Sequence, residues 1–248
     1  MGFCLRRAVA LLGALVLAVA CVDSDLEPSA TPLEPVGAAV PENLFPDASF
    51  EQGGELWFSL DTPAWGSPFR LTDSEAHRGR QSALLEMRAG PGATGSEVFG
   101  VVQEIAPEEF PELLSGYYRV EDWVKGTRKQ YLQFVVIVWG AADLPLGFAN
   151  HQIRYPLAGI SEEPFAIANA HFLFVTKEEP VTGRWVYFER NIREDFERLW
   201  GAVPEEFSKI RILFEVRYDD KAVGSALKGN VFYDDLYVGP AEKNPNAP

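Results

Sequence analysis

The sequence predicts an all-β fold: a two-layered β-sandwich that carries one short amphipathic helix and a structured insertion. The first observation is a series of runs rich in β-branched and aromatic residues, separated by turn-rich stretches. The second is the closing run, residues 231–239, which we expect to return beside the opening segment near Phe50 and Glu51. The third is composition, since 47% of the residues are hydrophobic and 12% are aromatic. Such a chain can form a large core.

Residues 1–21 have the pattern of a bacterial lipoprotein signal peptide. Two arginines precede an apolar stretch that is short for a transmembrane helix. Residues 17–21, Leu-Ala-Val-Ala-Cys, resemble a lipobox, at which cleavage leaves a diacylated Cys21 (carrying palmitate-type chains) at the new N-terminus. We therefore expect a lipid-anchored protein of the bacterial cell envelope. Val22, in place of an aspartate, favours the outer membrane. The alternative is an ordinary secretory signal cleaved elsewhere.

The segments that flank the predicted domain have a different composition. Residues 22–42 are rich in proline, alanine and acidic residues without periodicity, which predicts an exposed tether. We expect the folded domain to span residues 43–240, and residues 241–248 to form a disordered tail. The formal net charge of −14 disfavours nucleic acid and anionic lipid surfaces as partners, because both require clustered basic residues. Membrane contact is expected through the lipid anchor only.

Strand candidates follow one another along the domain. The most apolar of them, residues 130–139, is typical of a strand covered on both faces. Residues 141–180 are too long for a simple connection and contain strand-like pieces at 151–155 and 165–175, so we expect a structured insertion there. The remaining candidates are residues 83–88, 98–105, 113–124, 181–191 and 210–218.

A short helix is predicted over residues 191–200. Asn191, with Glu194 three residues later, has the spacing of an N-cap and its capping-box partner. Gly201 suits the end of the helix. One face is large and apolar, which favours packing against the sandwich; it contains Ile192, Phe196, Leu199 and Trp200.

The order of several short motifs resembles the jelly-roll carbohydrate-binding modules of the galactose-binding-like type. Each motif is weak alone, and the specificity lies in their order over most of residues 43–239. The resemblance implies a jelly-roll topology and non-catalytic binding of a glycan. The corresponding residues here are Asn43, Phe50-Glu51, Trp57, His77-x-Gly79-x-x-Ser82, Gln103, Ser115, Gly183-Arg-Trp185 and Tyr233-Asp234-Asp235.

The same resemblance implies a structural calcium ion. In such modules the carboxylate of the opening Phe-Glu pair and an aspartate of the terminal pair bind Ca²⁺ together with backbone carbonyls. Carried over, these residues are Glu51 and either Asp234 or Asp235, and Asp47 could add to the six to eight oxygens that calcium prefers. The alternative is that the aspartates cap strands or pair with arginines.

Alternation along three strand candidates predicts a sheet face that combines aromatic and polar side chains. Pyranose rings stack on aromatic rings, and their hydroxyls need polar partners that are held rigidly. Such a face suits a glycan or another envelope component, and it equally suits a buried polar network beneath residues 141–180. The predicted ligand-binding residues are Arg119, Tyr131, Gln133, Trp139, Glu215 and Arg217.

The sequence contains no recognisable catalytic motif. It lacks a Gly-x-Ser-x-Gly elbow, a His-Glu-x-x-His helix and a phosphate-binding glycine loop, and its three histidines lie in separate segments. We therefore expect no catalysis. Two alternatives stay open: a structural or protein-interaction lipoprotein whose sheet face is filled by residues 141–180, and a polysaccharide lyase or glycoside hydrolase on the same fold.

Overall fold

The computed structural model describes residues 42–59, 66–141 and 149–247. The predicted signal peptide, Cys21 and all of the predicted tether except Glu42 lie outside the described residues. No helix in these ranges combines the length and the apolar character that crossing a membrane requires.

Two β-sheets form most of the described part of the chain. Sheet A is the larger one. Its strand order is β1-β5-β12-β7-β8-β10-β9, and β2 lies beside β5. Sheet B has the order β11-β6-β13-β4-β3. In chain order, the strands of sheet A are β1 (Phe58–Ser59), β2 (Gly66–Ser67), β5 (Gly95–Ile105), β7 (Lys129–Trp139), β8 (Asn150–Ala158), β9 (Phe165–Ile167), β10 (Ala170–Phe172) and β12 (Lys209–Lys221). Those of sheet B are β3 (Arg70–Thr72), β4 (Ser82–Ala89), β6 (Leu113–Val124), β11 (Trp185–Asn191) and β13 (Leu227–Gly239).

The two sheets pack face to face around an aromatic core, which confirms the predicted sandwich. Phe214 of β12 lies against Tyr233 of β13, with ring centroids 5.4 Å apart. The Tyr233 hydroxyl crosses the core and donates to the carbonyl oxygen of Glu215 at 2.9 Å. This bond satisfies a polar group that is fully buried between the layers.

The opening segment lies along the closing strand, as predicted, but it is not itself a strand. Leu44 N donates to the Val238 carbonyl and Leu236 N donates to the Ala48 carbonyl, both at 2.9 Å. The ladder partners of β13 are instead β4 and β6. The difference arises because the opening segment runs through turns, and Phe50 has a positive φ of 59°.

The predicted insertion and helix are both confirmed. Within the predicted insertion, β8, β9 and β10 extend sheet A at its edge. Helix α1 (Ile192–Trp200) begins after Asn191, whose side chain accepts from Glu194 N at 3.0 Å. It ends at Gly201, which has a φ of 86°.

The C-terminal segment, predicted to be a disordered tail, packs against sheet B through Asn244 and Asn246. It starts with a 3₁₀ turn, Ala241–Lys243. Asn246 is buried and donates to the Asp235 carbonyl at 2.6 Å. Ser115 donates to the Asn244 side chain at 2.8 Å. The prediction was wrong here because composition does not reveal amide side chains that bond to a neighbouring sheet.

Candidate functional site

The outer face of sheet A, away from the core, carries five of the six predicted ligand-binding residues. β7 and β12 are antiparallel neighbours, so Gln133 lies opposite Glu215 and Tyr131 lies opposite Arg217. The Gln133 side-chain amide donates to the Glu215 carboxylate at 2.6 Å. Trp139 lies on the same face at the end of β7. Alternation therefore predicted the sharing of one face correctly for these five residues.

Arg119 does not join them. It lies on β6 in sheet B, where it pairs with Glu121 at 2.7 Å and with Glu75 at 3.2 Å. The prediction was wrong because alternation shows which residues of a strand share a side, whereas the sheet to which the strand belongs depends on long-range pairing.

Three of the five remaining residues, Gln133, Glu215 and Tyr131, are buried, and Trp139 is partly buried. Gln133 and Glu215 are 0% and 2% exposed, so neither is positioned to contact a ligand. Trp139 packs against a small apolar cluster on the same face. The apolar cluster comprises Val102, Val135, Ile137 and Leu213. The buried Gln133–Glu215 pair matches the alternative of a buried polar network.

Arg217 and Tyr131, which is 5% exposed, border an open groove beside the inserted strands. The cavity volume is about 710 Å³, which is within the range of small-molecule sites, roughly 300–1,000 Å³. Strands β8, β9 and β10 form its other side. Its lining includes Tyr131, Gln152, Arg154, Phe165, Phe172, Phe174, Arg217 and Asp219.

Aromatic rings line the part of the groove formed by the insertion. Phe165 and Phe172 are stacked, with ring centroids 4.4 Å apart and an interplanar angle of 15°. Phe165 is 39% exposed, so its ring is accessible from the groove. Phe174 lies 6.2 Å from Phe165. These side chains offer a flat apolar surface on rigidly paired strands.

The opposite part of the groove is polar. Arg217 donates to Asp219 at 2.6 and 3.1 Å, and the Tyr131 hydroxyl donates to Asp219 at 3.1 Å. Burial raises the pKa of Tyr131, and Asp219 and Glu215 raise it further. Burial alone would lower the pKa of Arg217, but its anionic surroundings outweigh this and raise it. Tyr131 is therefore a neutral phenol, and Arg217 is a permanent cation.

The residues of the insertion that line the groove were missed by sequence reasoning. Arg154 lies on β8, and its guanidinium lies 5.7 Å from the centre of the Phe172 ring. A signal was present, because Asn150, Gln152 and Arg154 alternate within one strand-like run and so share a face. What the sequence did not show is that β8 pairs with β7, and that β10 pairs in parallel with β8.

The predicted calcium residues lie on a different part of the molecule, around the turn over residues 77–81. Glu51 Oε1 accepts from Arg80 N at 2.6 Å and from Gln81 N at 2.8 Å. Asp234 Oδ2 accepts from His77 N at 2.7 Å. The carboxylates of Glu51 and Asp234 therefore both bind this turn.

Asp235 binds a side chain of the same turn, whereas Asp47 binds its own turn. Asp235 contacts the His77 ring nitrogen Nδ1 at 2.6 Å. Asp47 accepts from the backbone N–H groups of Gln52 and Gly54, both at 3.1 Å, so its carboxylate stabilises its own turn. Arg78 of the turn also lies 3.7 Å from the Asp235 carboxylate. The turn therefore contacts three of the four predicted metal ligands, and its backbone N–H groups donate to two of them, Glu51 and Asp234.

Three observations bear on whether these carboxylates suit a cation. Glu51 Oε2 is buried, accepts no hydrogen bond from the described residues and lies 3.7 Å from Arg80 Nε. Burial and the neighbouring Asp235 raise the pKa of Asp234 to about 8. Within the described ranges, no three His, Cys, Asp or Glu residues are grouped so as to hold a metal ion. A calcium ion would therefore need backbone carbonyls for most of its shell, and the two carboxylates fit that arrangement.

Comparisons with known proteins give similarity in fold. The sequence matches no protein-family model and no curated protein. The chain is similar to a family 61 carbohydrate-binding module solved in complex with β-1,4-galactotriose (TM-score 0.41, 14% identity, covering 79% of this chain and 97% of that one). It is also similar to a family 22 xylan-binding domain from Paenibacillus barcinonensis (TM-score 0.40, 17% identity, 77% and 90% covered). A third similar structure is a cellulase derived from that of Rhodothermus marinus (TM-score 0.44, 6% identity, 75% and 92% covered). Two of these structures are binding modules and one is an enzyme, and the likeness to all three is one of fold.

Proposed function

We propose that the protein is a lipid-anchored cell-envelope protein whose β-sandwich binds a glycan, or a sugar-bearing envelope component, without catalysis. The observation that carries this proposal is the exposed Phe165–Phe172 stack beside Arg154 in the groove of sheet A. An aromatic surface next to fixed hydrogen-bonding groups suits a pyranose ring, which has an apolar face and polar edges.

The groove also suits binding better than hydrolysis. Glycoside hydrolysis uses two carboxyl groups, one as an acid and one as a base or nucleophile. In the groove, Asp219 accepts from Arg217 and Tyr131, and Asp220 pairs with Lys129 at 2.5 Å. Carboxylates engaged with cations in this way favour a structural role over proton transfer.

The lipid anchor follows from the sequence at residues 17–21. Acylation of Cys21, with residues 22–42 as a tether, would hold the domain at a bacterial membrane, with the outer membrane favoured. Two acyl chains suffice for stable attachment. Metabolic labelling with an alkyne analogue of palmitate tests this: label should appear on the protein and be lost in Cys21→Ser.

Calcium is proposed as a structural ion held by Glu51 and Asp234. The buried Asp234 carboxyl supports it, as does Glu51 Oε2, which is buried and accepts no hydrogen bond from the described residues. When bound, calcium would neutralise two buried carboxylates and tie the turn over residues 77–81 to the closing strand. It would lie apart from the groove lining and would serve stability rather than recognition.

A glycan-array screen of the purified protein, with and without a chelator, tests the central proposal. We expect the protein to bind a defined class of saccharides. Because calcium is proposed to serve stability, this binding should persist in the presence of chelator at temperatures at which the chelated protein is still folded. Binding to no saccharide under either condition would leave the protein-interaction alternative, while release of shortened saccharides would support the enzyme alternative.

A further inference from the structure

We propose that the groove selects an acidic saccharide and that Arg154 binds its carboxylate. This inference rests on the proposed function and goes on to name the class of ligand. It follows from three properties of Arg154: the absence of an anionic partner among the described residues, its hydrogen-bonded orientation and its place over the Phe172 ring.

The cations of the groove differ in how they are neutralised. Arg217 pairs with Asp219 at 2.6 Å, and Lys129 pairs with Asp220 at 2.5 Å. Among the residues that the structure describes, no carboxylate lies within ion-pair distance of Arg154. Glu162, a further groove carboxylate, is exposed and interacts with Lys129. Arg154 therefore presents a positive charge that a bound anion can neutralise.

The guanidinium of Arg154 is held in place by a chain of amide side chains. It donates to Gln152 at 3.1 Å, and Gln152 in turn donates to Asn150 at 2.9 Å. Asn169, from the turn before β10, donates to the same Asn150 oxygen at 2.6 Å. A guanidinium has five N–H donors, and the bond to Gln152 uses one of them. Most of its donors therefore remain available, and little ordering entropy is lost when a ligand binds.

A sugar carboxylate matches this arrangement. Guanidinium binds carboxylate through two parallel hydrogen bonds in one plane. Arg154 lies over the Phe172 ring, and Phe172 is stacked on the exposed Phe165. Phe172 lies between Arg154 and Phe165, because it pairs with Arg154 on β8 and with Phe165 on β9. A uronic acid carries its carboxylate on the pyranose ring itself, so a ring that packs on the groove side of Phe172 has its acid group beside Arg154. The net charge of −14 opposes anions at long range, which means that the selectivity has to arise from this local contact.

Isothermal titration of the purified protein with uronate oligosaccharides tests the inference. The probes are oligomers of galacturonate, mannuronate and glucuronate-substituted xylose, each compared with its methyl ester, which keeps the ring and removes the charge. We expect at least one uronate to bind at least tenfold more tightly than its ester. Arg154→Gln should weaken that uronate about ten- to hundredfold, the range for a charge-assisted hydrogen bond, and leave the ester unchanged.

Arg88→Gln is the matched control, because Arg88 is exposed on β4 of the opposite sheet, and it should bind like the wild type. If Arg154→Gln does not fold, Arg154→Lys, which keeps the charge but loses the fork, should retain the preference for the uronate at reduced affinity. Esters that bind as tightly as every uronate, or an Arg154→Gln variant that keeps the preference, would overturn the acidic ligand while the glycan site stands. Binding of no saccharide at all, charged or neutral, would overturn the proposed function and this inference together.

Discussion

The guanidinium of Arg217 lies 5.7 Å from the centre of the Tyr131 ring, and both side chains bind the same carboxylate, that of Asp219. Arg217 also lies 3.7 Å from the buried Glu215. One arginine therefore connects an aromatic ring, a half-buried acid and a buried acid on the outer face of sheet A. This cluster forms the rigid polar wall against which the groove opens.

The variant Arg217→Met should destabilise the fold. It keeps the aliphatic stem of the side chain but leaves the Glu215 charge buried without its cation, which costs about 3 kcal/mol for a broken buried pair. Urea denaturation measures the loss. Arg88→Met, at a position whose side chain is 57% exposed, should change stability by less than about 0.5 kcal/mol. Equal effects of the two substitutions would show that burial of Glu215 does not depend on Arg217.

A second buried charge lies where helix α1 meets the sheets. Asp195 is 4% exposed and accepts from the Tyr155 hydroxyl at 3.0 Å and from Arg190 at 2.7 Å. Arg198 of the same helix also pairs with it. Burial raises the pKa of Tyr155 well above its usual range, and Asp195 adds to this effect. The buried phenol therefore depends on Asp195 as its acceptor.

Asp195→Ala should accordingly cost about 3 kcal/mol, because it leaves a buried hydroxyl and a half-buried arginine without their acceptor. Glu197→Ala, an exposed position on the same helix, should be close to neutral. Thermal melting compares them. A double variant with Tyr155→Phe should recover part of the loss, since it removes the unsatisfied hydroxyl. If the double variant recovers none of the lost stability, the loss comes from the contacts of Asp195 with Arg190 and Arg198.

Local patterns predicted well those features that depend on neighbouring residues. Asn191 with Glu194 predicted the start of α1, and alternation placed Glu215 and Arg217 on one face because both depend on backbone geometry over a few residues. Asp195 was detectable by the same reasoning, since it lies three residues after the buried Ile192 and so on the apolar face of the helix.

Long-range pairing limited the remaining predictions. The pattern within residues 113–124 does not indicate that Arg119 belongs to sheet B. Its place in that sheet follows from the pairing of β6 with β11 and β13. The groove was missed for the same reason. Its aromatic side exists because β9 and β10 join the edge of sheet A, and a parallel pairing such as that of β10 with β8 leaves no local signature in either strand.

The proposed calcium ion makes stability depend on pH in a definite direction. The pKa of Asp234 is raised to about 8, chiefly by burial and also by Asp235. An acid whose pKa is higher in the folded than in the unfolded state stabilises the fold while it is protonated. The chelated protein should therefore lose stability as the pH rises from about 4 to about 8.

Calcium should oppose this loss, because the ion and the proton compete for the same carboxylate. We expect calcium to raise the melting temperature more at pH 8 than at pH 5, and we expect Asp234→Asn to abolish that difference. Asp122→Asn, at an exposed aspartate that pairs with Lys228 at 3.4 Å, should keep it. A melting temperature at pH 8 that is the same with calcium and with chelator would rule out the structural ion.

The sharpest test of where a saccharide binds compares two phenylalanines of sheet A. Phe165 on β9 is 39% exposed in the groove, and Phe58 on β1 is 42% exposed at the other end of the strand order. Each substitution by alanine removes one partly exposed ring. Phe165→Ala should lower the melting temperature modestly, because its ring stacks on Phe172, so binding is compared at a temperature at which both variants are folded. Phe165→Ala should weaken saccharide binding about tenfold, because a lost stacking contact costs about 1.5 kcal/mol. Phe58→Ala should bind like the wild type, and the reverse result in the same titration would move the binding surface from β9 and β10 to the β1 edge of the sheet.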